Sequence, residues 1–223
     1  MDTQRSIRCA ALVLMAVVVF VPAGVMAGIV AEVEPNDTPA TAQYLAAVDF
    51  TLDFHANIGD TLGNTSTTIP HITIQAQGDN TFDYYSFDVV NAGTRGIFDV
   101  DETAATIDGP LDLEIFLFRD DMVHFAENDD APITNGALGS TSARDPFLEY
   151  VFASPGRYIL AVGRFNSIAL STGIGGSQIK PGDEYQLHVS LDSSIVPEPA
   201  TWLLSLMATV CLAARSAVRR RRR

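Results

Sequence analysis

Leu111-Asp-Leu-Glu-Ile-Phe-Leu constrains the fold of this chain most. Aliphatic residues hold every odd position from Leu111 to Leu117, and Asp112 and Glu114 stand between them. Only an extended strand, whose successive side chains point to opposite faces, turns that order into one apolar and one polar surface. The run at 111–118 has eight companions rich in aromatic and branched residues, at 48–54, 71–75, 84–89, 96–101, 122–126, 147–152, 157–165 and 185–191. Turn-forming residues separate them at Asn91-Ala-Gly, Asp108-Gly-Pro, Asn128-Asp-Asp, Ser154-Pro-Gly and Lys180-Pro-Gly. Strands at this spacing, without helical periodicity, predict an all-β fold, an antiparallel β-sandwich of jelly-roll-like form. Only 38–45 reads as a helical turn. The segments 59–70, 132–145 and 166–182, rich in Gly, Ser and Thr, are expected on exposed loops.

The two ends follow other patterns. Residues 1–27 open with Arg5 and Arg8, continue as an apolar run from Cys9 to Val21 and close on Val25-Met26-Ala27, the layout of a cleaved secretory signal peptide. A retained N-terminal helix is the alternative, disfavoured by the short run and by Pro22-Ala23-Gly24. At the other end, Val196-Pro197-Glu198-Pro199 is followed by an apolar run beginning at Ala200, with Trp202 near its start, and by Arg219, Arg220, Arg221, Arg222 and Arg223. The prolines make a stiff spacer. From Ala200 to Val218 a helix would span roughly 28 Å, enough for a bilayer core, with the arginines on the cytoplasmic side. This segment resembles the PEP-CTERM sorting signal, against the alternative of an ordinary membrane anchor. The resemblance implies recognition by an exosortase-type membrane protease in a Gram-negative bacterium, transient anchoring in the inner membrane, and delivery to the cell surface or extracellular matrix.

Between these ends, 28–195 has the length of one domain and no cysteine, since Cys9 and Cys211 lie in the end segments. Its stability must come from a core or a metal and not from disulfides. The net charge of −13 understates the acidity of this part, which holds 25 Asp and Glu against 6 Lys and Arg. Such a surface repels nucleic acid and anionic membranes and favours divalent cations.

Ala31-Glu32-Val33-Glu34-Pro35-Asn36-Asp37-Thr38 concentrates four oxygen-bearing side chains in six residues. Like charges held that close repel unless a cation sits between them. Many irregular oxygen ligands suit calcium better than magnesium, and the lack of thiolates and paired histidines argues against zinc. The competing reading is that Asn36 or Asp37 caps a helical turn at Thr38 while the glutamates are solvated. The segment resembles the opening of the bacterial pre-peptidase C-terminal domain, a β-sandwich related to the collagen-binding domains of secreted collagenases. The likeness extends to Gly78-Asp79-Asn-Thr-Phe-Asp83-Tyr84-Tyr85-Ser86-Phe87-Asp88-Val89, to the Leu111 strand, to Ala126-Glu-Asn-Asp-Asp130 and to Pro155-Gly-Arg-Tyr-Ile-Leu-Ala-Val. It implies a calcium shell of Glu32, Glu34, Asn36, Asp37, Asp79 and Asp83. The Asn-Gly-Ala-Leu-Gly-Ser-Thr loop after Asp130 departs from that pattern.

Asn128-Asp129-Asp130 reads as a turn in preference to a second oxygen site, and Tyr84, Tyr85, Phe87, Tyr150 and Tyr158 as core in preference to a sugar-stacking face. His55, His71, His124 and His188 are scattered, and neither a His-Glu-x-x-His pair nor a Gly-x-Ser-x-Gly elbow is present. No catalytic residue is assigned. The expected protein is therefore a non-enzymatic, exported, calcium-stabilised domain that binds or organises polysaccharide or protein. A secreted glycan-active hydrolase with its site in the long loops is the alternative.

Overall fold

The computed structural model describes residues 28–103 and 111–192. The expected signal peptide, the Val196 to Arg223 sorting segment and the Asp108-Gly-Pro turn lie outside them. No helix of the described residues is long and apolar enough to cross a membrane.

The chain is all-β. Four short strands come first: β1 (Ile29–Ala31), β2 (Gln43–Tyr44), β3 (Gly59–Asp60) and β4 (Gly63–Asn64). The body follows as β5 (His71–Gln77), β6 (Asp83–Val89), β7 (Arg95–Glu102), β8 (Leu113–Arg119), β9 (His124–Asn128), β10 (Phe147–Val151), β11 (Gly156–Leu170), β12 (Gly173–Ser177) and β13 (Glu184–Asp192). One sheet runs β1-β5-β13-β7-β10 and the other β2-β6-β11-β8-β9, with β12 paired to β11. Most pairs are antiparallel; β1 on β5 and β2 on β6 are parallel. The body strands pass from sheet to sheet, except in the β8–β9 and β11–β12 hairpins.

The alternation read from the sequence sets the core. Leu113, Ile115 and Leu117 face inward and meet Tyr85, Phe87 and Leu160 of their own sheet and Ile74, Phe98, Val100, Leu187 and Val189 of the facing one. Burial of each such side chain contributes roughly 1.5–3 kcal/mol. Tyr84, Tyr85, Phe87 and Tyr158 are buried, as expected of core residues. Phe116 and Phe118 point to the opposite face, where Tyr84, Ile159 and Ile174 bury them in a second cluster.

Several local expectations need correction. Residues 48–54 form no strand. A 3-10 turn (Ala47–Asp49) and a single bridge from Thr51 to His71 replace it: Phe50 enters the core, but Val48, Leu52 and Phe54 of the same alternation are exposed and no pairing extends beyond Thr51. The stretch 38–45 makes only a turn at its start, followed by β2. Asn128 ends β9 where the chain leaves that sheet, so Asn128-Asp-Asp is not a hairpin turn; the β8–β9 turn lies at 120–123. The segments 59–70 and 132–145 are not simply exposed. Ile69, Ala131, Phe147 and Ile97 pack together over the outer face of the first sheet, with Ser66 and Asp145 buried beneath. In 166–182, β11 continues to Leu170 and β12 folds back on it.

Candidate metal centre

Strand β1 lies parallel to β5, and the pairing extends one residue further through a 2.9 Å bond from Glu32 N–H to the Gln75 carbonyl. This delivers the Glu32-to-Asp37 segment to one end of the sandwich, where Tyr84 N–H on β6 donates to the Asn36 carbonyl at 3.0 Å. Asn36 and Asp83 are both fully buried there.

Each carboxylate has a definite role in the packing. Glu32 accepts hydrogen bonds from Asn36 Nδ2 (2.8 Å), the Tyr85 hydroxyl (2.5 Å) and Gln77 N–H (3.0 Å). Glu34 accepts from Asn36 N–H at 2.7 Å, and Asp79 from the Thr81 hydroxyl. Asp83 accepts from the Tyr185 hydroxyl through one oxygen at 2.5 Å. The structure brings all six expected residues into one neighbourhood. One carboxylate oxygen each from Glu32, Glu34 and Asp83 lies within 4.8 Å of the others, and the same holds for Glu34, Asp37 and Asp79. Glu34 belongs to both groups. A groove of about 370 Å³ lined by Glu32, Glu34, Gln77 and Asp79 gives access.

The residues fit a hard cation on a further observation. Asn36 Oδ1, Asp37 Oδ1 and Asp83 Oδ1 are buried without a hydrogen-bond partner, a state that costs about 1–3 kcal/mol per group unless something else satisfies it. The electrostatics agree. Burial, followed by the charges of Glu32, Glu34 and Asp79, pushes the Asp83 carboxyl up to about 9 against the opposing Tyr185 bond. Glu34 is raised by burial and then by Glu32, Asp79 and Asp37, with the Asn36 N–H opposing. A divalent cation with six to eight oxygen ligands would relieve both effects. The capping alternative is not what the segment does. Thr38 and Thr41 close that turn through their own hydroxyl and backbone bonds, and the Asn36 side chain turns to Glu32.

Two groups were not signalled by sequence. Tyr185 reaches Asp83 from the facing sheet, 102 residues away, and its hydroxyl lies 3.0 Å from that of Tyr85. The other is a polar cluster on the outer face of the first sheet. The histidines are less scattered than their spacing implies: His55 lies 5.1 Å from His188 and 6.4 Å from His71, ring centre to ring centre. His188 bridges Thr73 (2.8 Å) and Asp101 (3.0 Å). This hydroxyl-imidazole-carboxylate order has the form of a hydrolytic relay, yet Thr73 is only 1% exposed beneath the covering loops. Asp112, Asp129 and Asp130 form a further carboxylate group, beside Glu114, whose carboxyl burial and then Asp129 and Glu127 push up to about 7.

Fold and site together define an all-β sandwich with an oxygen-rich acidic centre. No family model and no curated protein matches the chain. Among solved structures it is similar to the pre-peptidase C-terminal domain of a collagenase from Bacillus anthracis, at 15% identity and a TM-score of 0.32, over 54% of this chain and 88% of that one. It is also similar to PliG of Aeromonas hydrophila, a periplasmic inhibitor of g-type lysozyme, at 13% identity and a TM-score of 0.28, over 54% of this chain and 83% of that one. A GH115 4-O-methyl-alpha-glucuronidase matches at 11% identity and a TM-score of 0.25, over 66% of this chain and 17% of that one.

Proposed function

We propose that the protein is an exported, non-enzymatic surface or matrix component whose sandwich is stabilised by calcium and binds or organises polysaccharide or protein. In this reading residues 1–27 direct export, and an exosortase-type protease acts at the Val196 to Pro199 boundary. The observation that carries the calcium part is the pair of fully buried, unpartnered oxygens, Asn36 Oδ1 and Asp83 Oδ1, set among carboxylates. Glu32, Glu34, Asn36, Asp37, Asp79 and Asp83 would hold the ion, which supplies positive charge to a site that otherwise repels itself. Calcium that binds only the folded state adds roughly 2.7 kcal/mol at a hundredfold excess over its Kd. The reading as a binding protein is supported by the burial of Thr73 in the one relay-like arrangement among the described residues.

Two measurements test this. Thermal melts of the full-length chain should separate by several degrees between calcium and chelator; coincident curves reject the site. The intact mass of the surface-released protein should lack both end segments, and a mass that retains Arg219 to Arg223 rejects the sorting step.

A further inference from the structure

Two loops cover the outer face of the first sheet, and neither carries charge along its length. Residues 61–70 and 131–143 contain no Asp, Glu, Lys or Arg, although 28–195 holds 25 acidic residues. Asp60 and Asp145, which adjoin them, are buried: Arg95 pairs with Asp60 at 2.6 Å, and Asp145 accepts N–H bonds from Thr141 and Ser142. Asp130 and Arg144 stand exposed at the two ends of the second loop, one of each sign. Leu62, at 90%, and Leu138, at 79%, are the two most exposed large apolar side chains among the described residues, and Ile133 is 54% exposed.

The loops bring these three residues together. They touch at Gly59 and Ala137, where a Cβ on Gly59 would lie 2.7 Å from that of Ala137. Leu62 stands at the β3–β4 turn that Gly59 leads into, and Leu138 directly follows Ala137. Ile133 lies in the turn that Asn135 N–H closes on the Pro132 carbonyl at 2.8 Å. Both loops are fixed from below. Asp60 accepts Leu62 N–H at 2.7 Å, Asn64 donates to the His55 carbonyl at 2.7 Å, and Ile69, Ala131 and Phe147 pack together over the sheet. Gly136 and Gly139 set the second loop directly on Asp99 and Asp101. Leu62, Ile133 and Leu138 therefore turn outward from a held backbone, as neighbours on one uncharged face, which distinguishes them from apolar side chains scattered singly over a surface.

We propose that this face is where two copies of the chain associate. Charge selects the partner. A basic protein would be drawn to the carboxylates of the domain and not to an uncharged face, and an anionic membrane would be repelled by those same carboxylates. A second copy shares the whole acidic excess of the first, so the two approach closely only where neither presents charge. A two-fold arrangement sets the same face against itself and meets that condition on both sides. Apolar residues at the centre, with charged groups such as Asp130 and Arg144 left at the margin, match the pattern of interfaces between identical subunits. The association needs neither the metal centre nor a glycan, so its failure would leave the function proposed above standing.

Sedimentation of the full-length chain in detergent tests this; the two end segments are common to every variant, so differences between variants report the loop face. The wild type should dimerise, and its Kd should fall as salt rises, because salt screens the repulsion between the acidic bodies. The double variant Leu62→Asn, Leu138→Asn should raise that Kd at least about tenfold. At concentrations where both proteins are monomeric their melting temperatures should agree, since both side chains are exposed. Ile168→Asn, at a side chain 60% exposed on the β11–β12 hairpin of the other sheet, should leave the Kd unchanged. Hydrogen exchange should slow in 61–64 and 132–139 when wild-type protein is concentrated. A monomeric wild type overturns the proposal, and so does a double variant with the wild-type Kd. A dimer that weakens as salt rises would place opposite charges in contact and overturns the uncharged face as the interface. Capture of the wild type but not of the double variant by phosphatidylcholine vesicles, without any dimer, overturns the second copy in favour of a lipid surface.

Discussion

The Tyr185 hydroxyl donates a 2.5 Å hydrogen bond to Asp83 Oδ2, joining β13 of one sheet to β6 of the other at the end where the Glu32-to-Asp37 segment closes the sandwich. Both residues are almost fully buried. Asp83 thereby has one oxygen satisfied by the protein and the other, Oδ1, without a partner. This division is what a metal ligand requires: one contact fixes the carboxylate and the remaining oxygen is available.

Tyr185→Phe should remove the fixing bond without opening a cavity. The phenol ring stays, and Asp83 becomes a buried carboxyl with no protein donor. Urea unfolding in chelator should show a loss of about 1–3 kcal/mol. Calcium should restore part of that loss, because the ion takes over the satisfaction of Asp83. Equal stability of variant and wild type in chelator would show that the bridge contributes nothing.

Glu34 is the residue shared by the two carboxylate groups, so its removal breaks both. Glu34→Ala should abolish most of the melting shift produced by calcium. Glu127→Ala should leave it intact, since Glu127 is exposed on β9 and pairs with His124 at 3.4 Å. Limited proteolysis gives a second readout: calcium should protect the wild-type segment around Glu32 to Asp37 and fail to protect the Glu34 variant. A calcium shift of the same size in Glu34→Ala would move the site elsewhere.

The parts of this structure that were legible in the sequence are those where one residue's chemistry repeats locally. Leu113, Ile115 and Leu117 announce an inward face because period two acts within a single strand. Glu32, Glu34, Asn36 and Asp37 announce an oxygen site because they crowd into six residues. Where the cause is long-range the sequence is silent. Gly173-Ile-Gly-Gly-Ser reads as loop and forms β12 only because the long β11 offers it an edge. Thr73, His188 and Asp99 become neighbours through the register of β5, β13 and β7, which no local pattern encodes. Residues 48–54 mislead in the other direction: Phe50 enters the core and Thr51 bridges His71, yet Val48, Leu52 and Phe54 of the same alternation stay exposed and no strand forms.

The loop before β10 sits on this buried polar face through glycine. A Cβ on Gly139 would lie 1.6 Å from Asp101 Oδ2, and one on Gly136, at φ +73°, would lie 2.2 Å from Asp99 Oδ2. Asp101 cannot yield easily, because it is buried and held by His188. Gly139→Ala should therefore displace the loop backbone, costing about 1–3 kcal/mol. Hydrogen exchange should quicken across 136–142 while β8 and β11 keep their protection. An unchanged melting temperature would mean that the loop does not seal the face as described.

Asp99 itself sets a pH dependence. Its side chain is buried, neither oxygen has a hydrogen bond of ordinary geometry, and it directly faces His188 across the β7–β13 register. Burial first, then the charges of Asp101 and Asp145, hold its carboxyl well above the ordinary value of 3.8. The sign follows from which state keeps the proton. Above about pH 4 the unfolded chain releases it while the folded chain retains it, so each rise in pH removes stability until the folded carboxyl also ionises. The favourable contribution is complete below that ordinary value and declines through neutral pH. Asp99→Asn keeps the volume and cannot ionise, so it should raise the melting temperature at about pH 8, with the gain shrinking toward zero near pH 4. Asp145→Asn should show a weaker dependence of the same sign, because burial also raises the Asp145 carboxyl but backbone N–H bonds from Ser142 and Thr141, at 2.9 and 2.8 Å, oppose that rise. Melts of the three proteins across that pH range decide the matter: an Asp99→Asn gain that is constant with pH would mean that Asp99 is ionised in the folded state throughout, in conflict with its burial without partners.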